Sequence, residues 1–378
     1  MSKIETVRAF KIDNSKFRDK DKNVRPDIFE QIQKKIKAKT FIGEKIKFNK
    51  NFEKAKQALP KSERELYYSW EKGGFVDSIQ FDSPMGNLEN IKYLSIKIKL
   101  EISKKDKYDE AKTSILPKSQ RVESHDVQVI FLVISNELVV LIFSGNKLYC
   151  DRCKILIQKT ISSTVINLSV NREIFTWLFF TYDQVEDRNV TDLVSVSEID
   201  GFVGTISDEK DSILGLDPSQ LSKVTSSSQK LSKLFVTQAF ISLGNLFTGV
   251  QIELLIKKIE RLSDSPISME INVSKTGNVY DRVEMSFDED ETLKLKGSNS
   301  QITSYMTSET TLQTTVIYVY SLLLPLILSS FETQKTNFED KILPEYEEIL
   351  GSEVIRQILE KNPHLNSSKI IGIKSKTT

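Results

Sequence analysis

Between Tyr93 and Ser103 the chain reads YLSIKIKLEIS. Leu94, Ile96, Ile98, Leu100 and Ile102 alternate with Ser95, Lys97, Lys99, Glu101 and Ser103, a period of two that an extended strand satisfies and a helix does not. A strand with one apolar and one polar face belongs to an antiparallel sheet that covers a core on one side and meets water on the other. Lys97 and Lys99 therefore stand on a solvated face, and Lys104 and Lys105 extend the positive charge past its end.

The rest of the N-terminal part fits around that strand. Thr6–Ile12 reads as a first strand. Arg25-Pro26-Asp27 opens a helix, with proline at the first turn and Asp27 and Glu30 beside the positive end of the dipole. Ile28, Ile32 and Ile36, with Phe29 beside them, form its apolar stripe. Lys34, Lys35, Lys37 and Lys39 gather at its C-terminal end, where cations suit the dipole. The preceding loop carries Lys16, Arg18, Lys20, Lys22 and Arg25, a run interrupted by Asp19 and Asp21. A three-strand meander is expected at 126–134, 137–143 and 148–157, turning at Ser135-Asn136 and at Gly145-Asn146. A strand over 164–170 then leads to Asn171, an N-cap for an apolar helix over 172–182.

Residues 208–228 are rich in Ser and Asp, include Pro218, and read as a linker. They separate a basic α+β domain (1–207) from a mainly helical one (229–378). The second domain is expected to hold a long helix over 229–262, a hairpin over 266–287, and helices over 301–331, 338–350 and 353–360. The fold class is α+β: an antiparallel-sheet N-terminal part, then a mainly helical C-terminal part with a β-hairpin.

A net charge of +1 conceals an asymmetry. Residues 1–122 hold 29 Lys and Arg against 18 Asp and Glu, and the remainder holds 24 against 34. A basic front and an acidic remainder point to a polyanion partner for the front, with the acidic part free to meet a protein partner or a second copy. Thr311–Phe331 lacks charge over its whole length, enough to cross a bilayer. Its polar start, Pro325 and the absence of a flanking basic cluster favour a kinked core helix over stable membrane insertion. Two cysteines and no apolar leader in MSKIETVRAF fit a reducing cytoplasm.

Catalytic signatures are missing. The chain has no GxxxxGK[ST] loop, no GxGxxG and no Glu-x-Lys on an apolar strand. Cys150 and Cys153 have the spacing of half a zinc site, but no second pair exists, and on a strand they would face opposite ways. His125-Asp126 reads as a loop pair without a nucleophile, and Asp288–Glu291 as a solvated acidic turn. Neither metal nor cofactor is expected. The basic residues, lacking any motif for base readout, predict non-specific phosphate contact, to DNA in preference to RNA.

The order of parts resembles a group of phage-exclusion and antiphage DNA-binding proteins, of the lambda RexA and Kiwa KwaB kind. The similarity lies in a basic NSKFRDKDK opening before a helix, a β-rich middle, and ISMEINVSKTGNVYDRVEMSF before a terminal helical region. It implies non-specific DNA binding, homodimers and a sensing role in abortive infection, and it assigns no site residues. The leading expectation is thus a non-enzymatic DNA-binding protein of antiphage defence. The alternatives are a diverged metal-dependent nuclease and a protein-interaction module whose basic half docks on acidic surfaces.

Overall fold

The alternating stretch lies in a strand, Leu88–Ser103, that begins earlier than the pattern alone indicates. A computed structural model describes residues 3–364 except 14, 37–39, 72–73, 83–87, 112, 168–172, 193, 206–222, 228–234, 257–266, 277–279, 288–312 and 315. Its strands are β1 (Lys3–Ile12), β2 (Thr40–Lys45), β3 (Glu65–Trp70), β4 (Phe75–Asp82), β5 (Leu88–Ser103), β6 (Val122–Ile134) and β7 (Glu137–Phe143). They continue as β8 (Val165–Asn167), β9 (Val194–Thr205), β10 (Lys223–Ser227), β11 (Leu246–Ile256), β12 (Ile267–Thr276) and β13 (Tyr280–Phe287). The principal helices are α1 (Ile28–Ile36), α2 (Lys147–Ile161), α3 (Glu173–Gln184), α4 (Phe235–Ser242) and α5 (Val316–Lys361).

The fold is α+β, with an antiparallel curled sheet in the N-terminal part and a mostly helical C-terminal part. The strand order is β10-β9-β11-β12-β13-β1-β7-β6-β5-β3-β2, with β4 added to β5 and β8 to β1. Successive residues of β1 serve opposite cores. Phe10 and Ile12 pack with Ile28, Ile32 and Ile36 of α1 and with Leu156 and Ile157 of α2. Val7 and Ala9 pack with Trp177 and Phe179 of α3 and with Val319, Leu323 and Phe331 of α5. Burial on both faces explains the unbroken apolar runs of β7 (ELVVLIF) and of the second half of β6, where alternation disappears. Ser135 and Asn136 close that hairpin with φ of 48° and 62°, the left-handed pair of a tight two-residue turn. On the edge strand β2, a Cβ at Gly43 would lie 2.2 Å from the ring of Tyr68, so the irregular register there depends on a missing side chain.

Several segments differ from the sequence reading. The third meander strand is helix α2: Asn146 does not turn a hairpin but caps a helix, its side chain accepting from the Leu148 N–H at 2.9 Å. The long helix over 229–262 is, where described, α4 followed by β11. Gly244, at φ +68°, ends the helix, and the chain then turns into a strand. His125 lies in β6 instead of a loop. Lys223–Ser227, within the linker expectation, pairs with Gly201–Thr205, and the hairpin adds to the sheet through β13 against β1. Asn171 and residues 301–312 lie outside the described residues.

The separate C-terminal helices are one helix from Val316 to Lys361. Wide π turns at Val319–Leu323 and Phe338–Ile342 stand immediately before Leu324-Pro325 and Leu343-Pro344. Proline brings no N–H and crowds the carbonyl four residues back; widening the turn absorbs both defects and lets the helix continue. Among the described residues this is the one helix long and apolar enough to cross a membrane. Its Val316, Ile317, Val319, Tyr320, Leu323, Ile327 and Phe331 are buried in the core beneath the sheet.

Candidate nucleic-acid interface

The basic opening is a compact loop, and several of its charges are committed to holding it. Asp19 Oδ1 accepts from the N–H groups of Asp21 and Asn23, both at 2.9 Å. The turn residue Asn136 accepts from Val24 N–H at 2.7 Å and donates to the Lys22 carbonyl at 3.2 Å. Arg18 pairs with Glu137 at 3.2 Å, and Lys11 meets the same oxygen at 3.0 Å. Lys16 donates to the carbonyl of Ser162 at 2.7 Å, and Lys35 to that of Ile161 at 3.3 Å, its ammonium also resting 4.8 Å from the Phe17 ring. Both lysines thus neutralise the carbonyl end of α2, where the helix dipole is negative. Lys20, Lys22, Arg25 and Lys34 point outward. Lys20 and Arg25 share a shallow hollow with Asp19 and Asp27, which dilutes their field. Lys37 and Lys39 lie outside the described residues.

Lys97 and Lys99 are exposed, but on the other side of the sheet. Leu94, Ile96, Ile98 and Leu100 face the core covered by α1, so the intervening lysines face away from it. The sequence-derived positive surface is therefore two surfaces: α1 and its loop on one side, Lys97 and Lys99 on the other. Lys97 stands opposite Gln128, and Lys99 opposite Asp126 and Ser69. Next along this face, Glu101 binds Lys118 at 2.7 Å, and the Lys118 ammonium sits 4.3 Å from the centre of the Tyr67 ring.

β5 carries this face to a third basic group that sequence reading passed over. Between Lys45 and Arg64 the chain has seven lysines and arginines against Glu53 and Glu63. The fold ties this segment to the loop that holds Lys104 and Lys105. Lys107 donates to the Lys47 carbonyl at 2.8 Å, and the Tyr108 hydroxyl accepts from Asn49 N–H at 2.6 Å. Phe52 stacks on Tyr108 with ring centres 4.2 Å apart. Below them the buried Arg121 binds the carbonyls of Leu116 and Glu63 and the Glu63 carboxylate. Lys45, Lys47, Lys50, Lys54, Lys61, Lys104 and Lys105 are exposed around this junction. The signal in the sequence was charge density without periodicity, which only the pairing of two distant loops makes into a surface.

Among the described residues no three His, Cys, Asp or Glu side chains converge as a metal site. Asp288–Glu291 lie outside them. Cys150 and Cys153, one helical turn apart in α2, are both buried instead of facing opposite ways on a strand. Burial pushes the Cys150 thiol up to about 11 and Cys153 well above the ordinary range, which disfavours the thiolate that metal binding needs. His125 lies 3.1 Å from Glu123 and against the Tyr149 ring, with no nucleophile among its described partners. No protein-family model matches the chain, and no curated protein matches it.

Proposed function

We propose that the protein is a non-enzymatic nucleic-acid-binding protein that holds duplex DNA non-specifically by its phosphate backbone. The observation that carries this reading is the junction of the 45–64 segment with the Lys104–Lys105 loop, beside the open sheet face of Lys97 and Lys99. Exposed ammonium groups on a rigid support suit sequence-independent phosphate contact, and no element among them is shaped to enter a groove and read bases. The basic loop and α1 form a secondary contact from the opposite side. In the cell this reading places the protein in the cytoplasm, in antiphage defence with abortive infection as outcome. There it acts as a homo-oligomer, without membrane insertion, its acidic C-terminal part meeting a protein partner.

The test is duplex binding by the full chain and by K97E/K99E/K104E/K105E, from about 50 to 200 mM salt. Wild-type affinity should fall steeply with salt. In the folded variant the salt slope should be shallower by roughly 0.9 for each phosphate contact removed. Equal, weak binding by both proteins would rule the surface out.

A further inference from the structure

α5 presents an acidic groove. The groove, of about 670 Å³, lies between α5, the end of α3 and α4, and its lining includes Asp183, Glu345, Glu348, Ile349, Glu353 and Arg356. Arg356 is engaged by Glu353 and Glu360, so the remaining carboxylates, Asp183, Glu345 and Glu348, set its charge. Glu345 and Glu348 are exposed three residues apart on one helical face, a like-charge spacing that disfavours the helix unless a cation lies across it. Beside them in the lining, Ile349 is 55% exposed. The surface thus asks for a ligand that is both cationic and aliphatic.

We propose that this groove binds the chain's own segment 365–378, LNSSKIIGIKSKTT, in cis. That segment has three lysines (Lys369, Lys374 and Lys376), no acidic residue, and the isoleucines Ile370, Ile371 and Ile373. Three positive charges answer three carboxylates, and the isoleucines answer Ile349. The reach suffices. From Lys361 back to Ile349 the helix spans about 18 Å at 1.5 Å per residue. The chain turns at 363–364, and the ten residues from His364 to Lys374 extend up to about 33 Å.

The experiment uses full-length protein throughout and a fluorescein-labelled synthetic peptide of residues 365–378 as probe. In the wild type the tethered segment competes with the peptide. In K369E/K374E/K376E, whose changes touch no described element, the groove is free, and the peptide should bind at least about tenfold tighter than to wild type, since tethered competitors act at effective concentrations of about mM. Adding E345K/E348K to that variant should abolish peptide binding, with an unchanged circular dichroism spectrum confirming the fold. Equal peptide affinity for wild type and the tail variant overturns the proposal. So does a wild-type dimer that becomes monomeric in the tail variant, because the segment would then occupy the groove of a second copy.

Discussion

The guanidinium of Arg121, fully buried, binds the carboxylate of Glu63 at 3.0 Å across 58 residues of chain. With the Leu116 and Glu63 carbonyls it forms the bolt between the two lysine-rich loops, its face turned towards the ring of Phe48. Removing the guanidinium leaves two carbonyls and a carboxylate short of a donor, whereas shortening the acid leaves most of the bolt in place.

R121M should therefore cost about 3 kcal/mol of stability, the lower end for breaking a buried pair, because Glu63 stays partly hydrated. E63Q should cost about 1 kcal/mol, since the backbone carbonyl and an amide oxygen still accept. Urea unfolding measures both. Comparable losses from the two changes would mean that the ion pair, not the carbonyl contacts, dominates.

Asp109 organises the neighbouring loop. Its Oδ1 accepts from the N–H groups of Thr113 at 2.6 Å and Ser114 at 3.0 Å, and Oδ2 from their hydroxyls at 2.6 and 3.2 Å. These bonds favour the ionised form, led by the Thr113 hydroxyl, and hold its pKa at about 2. The folded value lies below the ordinary aspartate value of about 3.9, so the contribution is complete above that pH and is lost as pH falls through about 2. An NMR titration should place the Asp109 carboxyl midpoint near 2, with exchange protection of the Thr113 and Ser114 amides fading in the same window. A midpoint near 4 would show that the loop does not hold this form in solution.

Lys16 and Lys35 separate structural from ligand-binding lysines. Both donate to the last carbonyls of α2, so K16M/K35M should lower stability by about 0.5 kcal/mol for each lysine. If their role is confined to the helix end, the salt slope of DNA binding should stay unchanged. A shallower slope would assign them to the phosphate surface instead.

How much could be read beforehand depended on whether one residue's surroundings decided its conformation. The alternation of Leu94 to Ile102, the stripe of Ile28, Ile32 and Ile36, and the Ser135-Asn136 turn are local signals, and all three elements form. Asn146 was ambiguous because a glycine-asparagine pair serves both a hairpin and a cap. The spacing of buried Cys150, Cys153, Ile157 and Ile161 decided for the helix. Pro325 and Pro344 fall inside expected helices, and the breaks expected at 332–337 and 351–352 are helical instead, because nothing in those short polar stretches stops a helix and a π turn leaves no mark in the sequence. The basic surface was legible as composition but not as geometry: Lys34 and Lys99 are both exposed, yet a sheet lies between them, and Lys47 meets Lys107 only through a fold-level contact.

The two thiols give the last check on this chemistry. Cys150 donates to the Ser144 carbonyl at 3.3 Å, and Cys153 is wholly enclosed. With its pKa raised by burial to about 11, Cys150 keeps its proton at pH 8, and burial likewise keeps Cys153 protonated. A thiol reagent at pH 8 needs the thiolate and access to it, and the folded protein offers neither. The native protein should remain unlabelled on the timescale in which both cysteines react in denaturant, with labelling tracking unfolding. Rapid labelling of one cysteine in the native state would mean that α2 opens locally. Retention of zinc through dialysis would return the pair to the metal chemistry that its burial argues against.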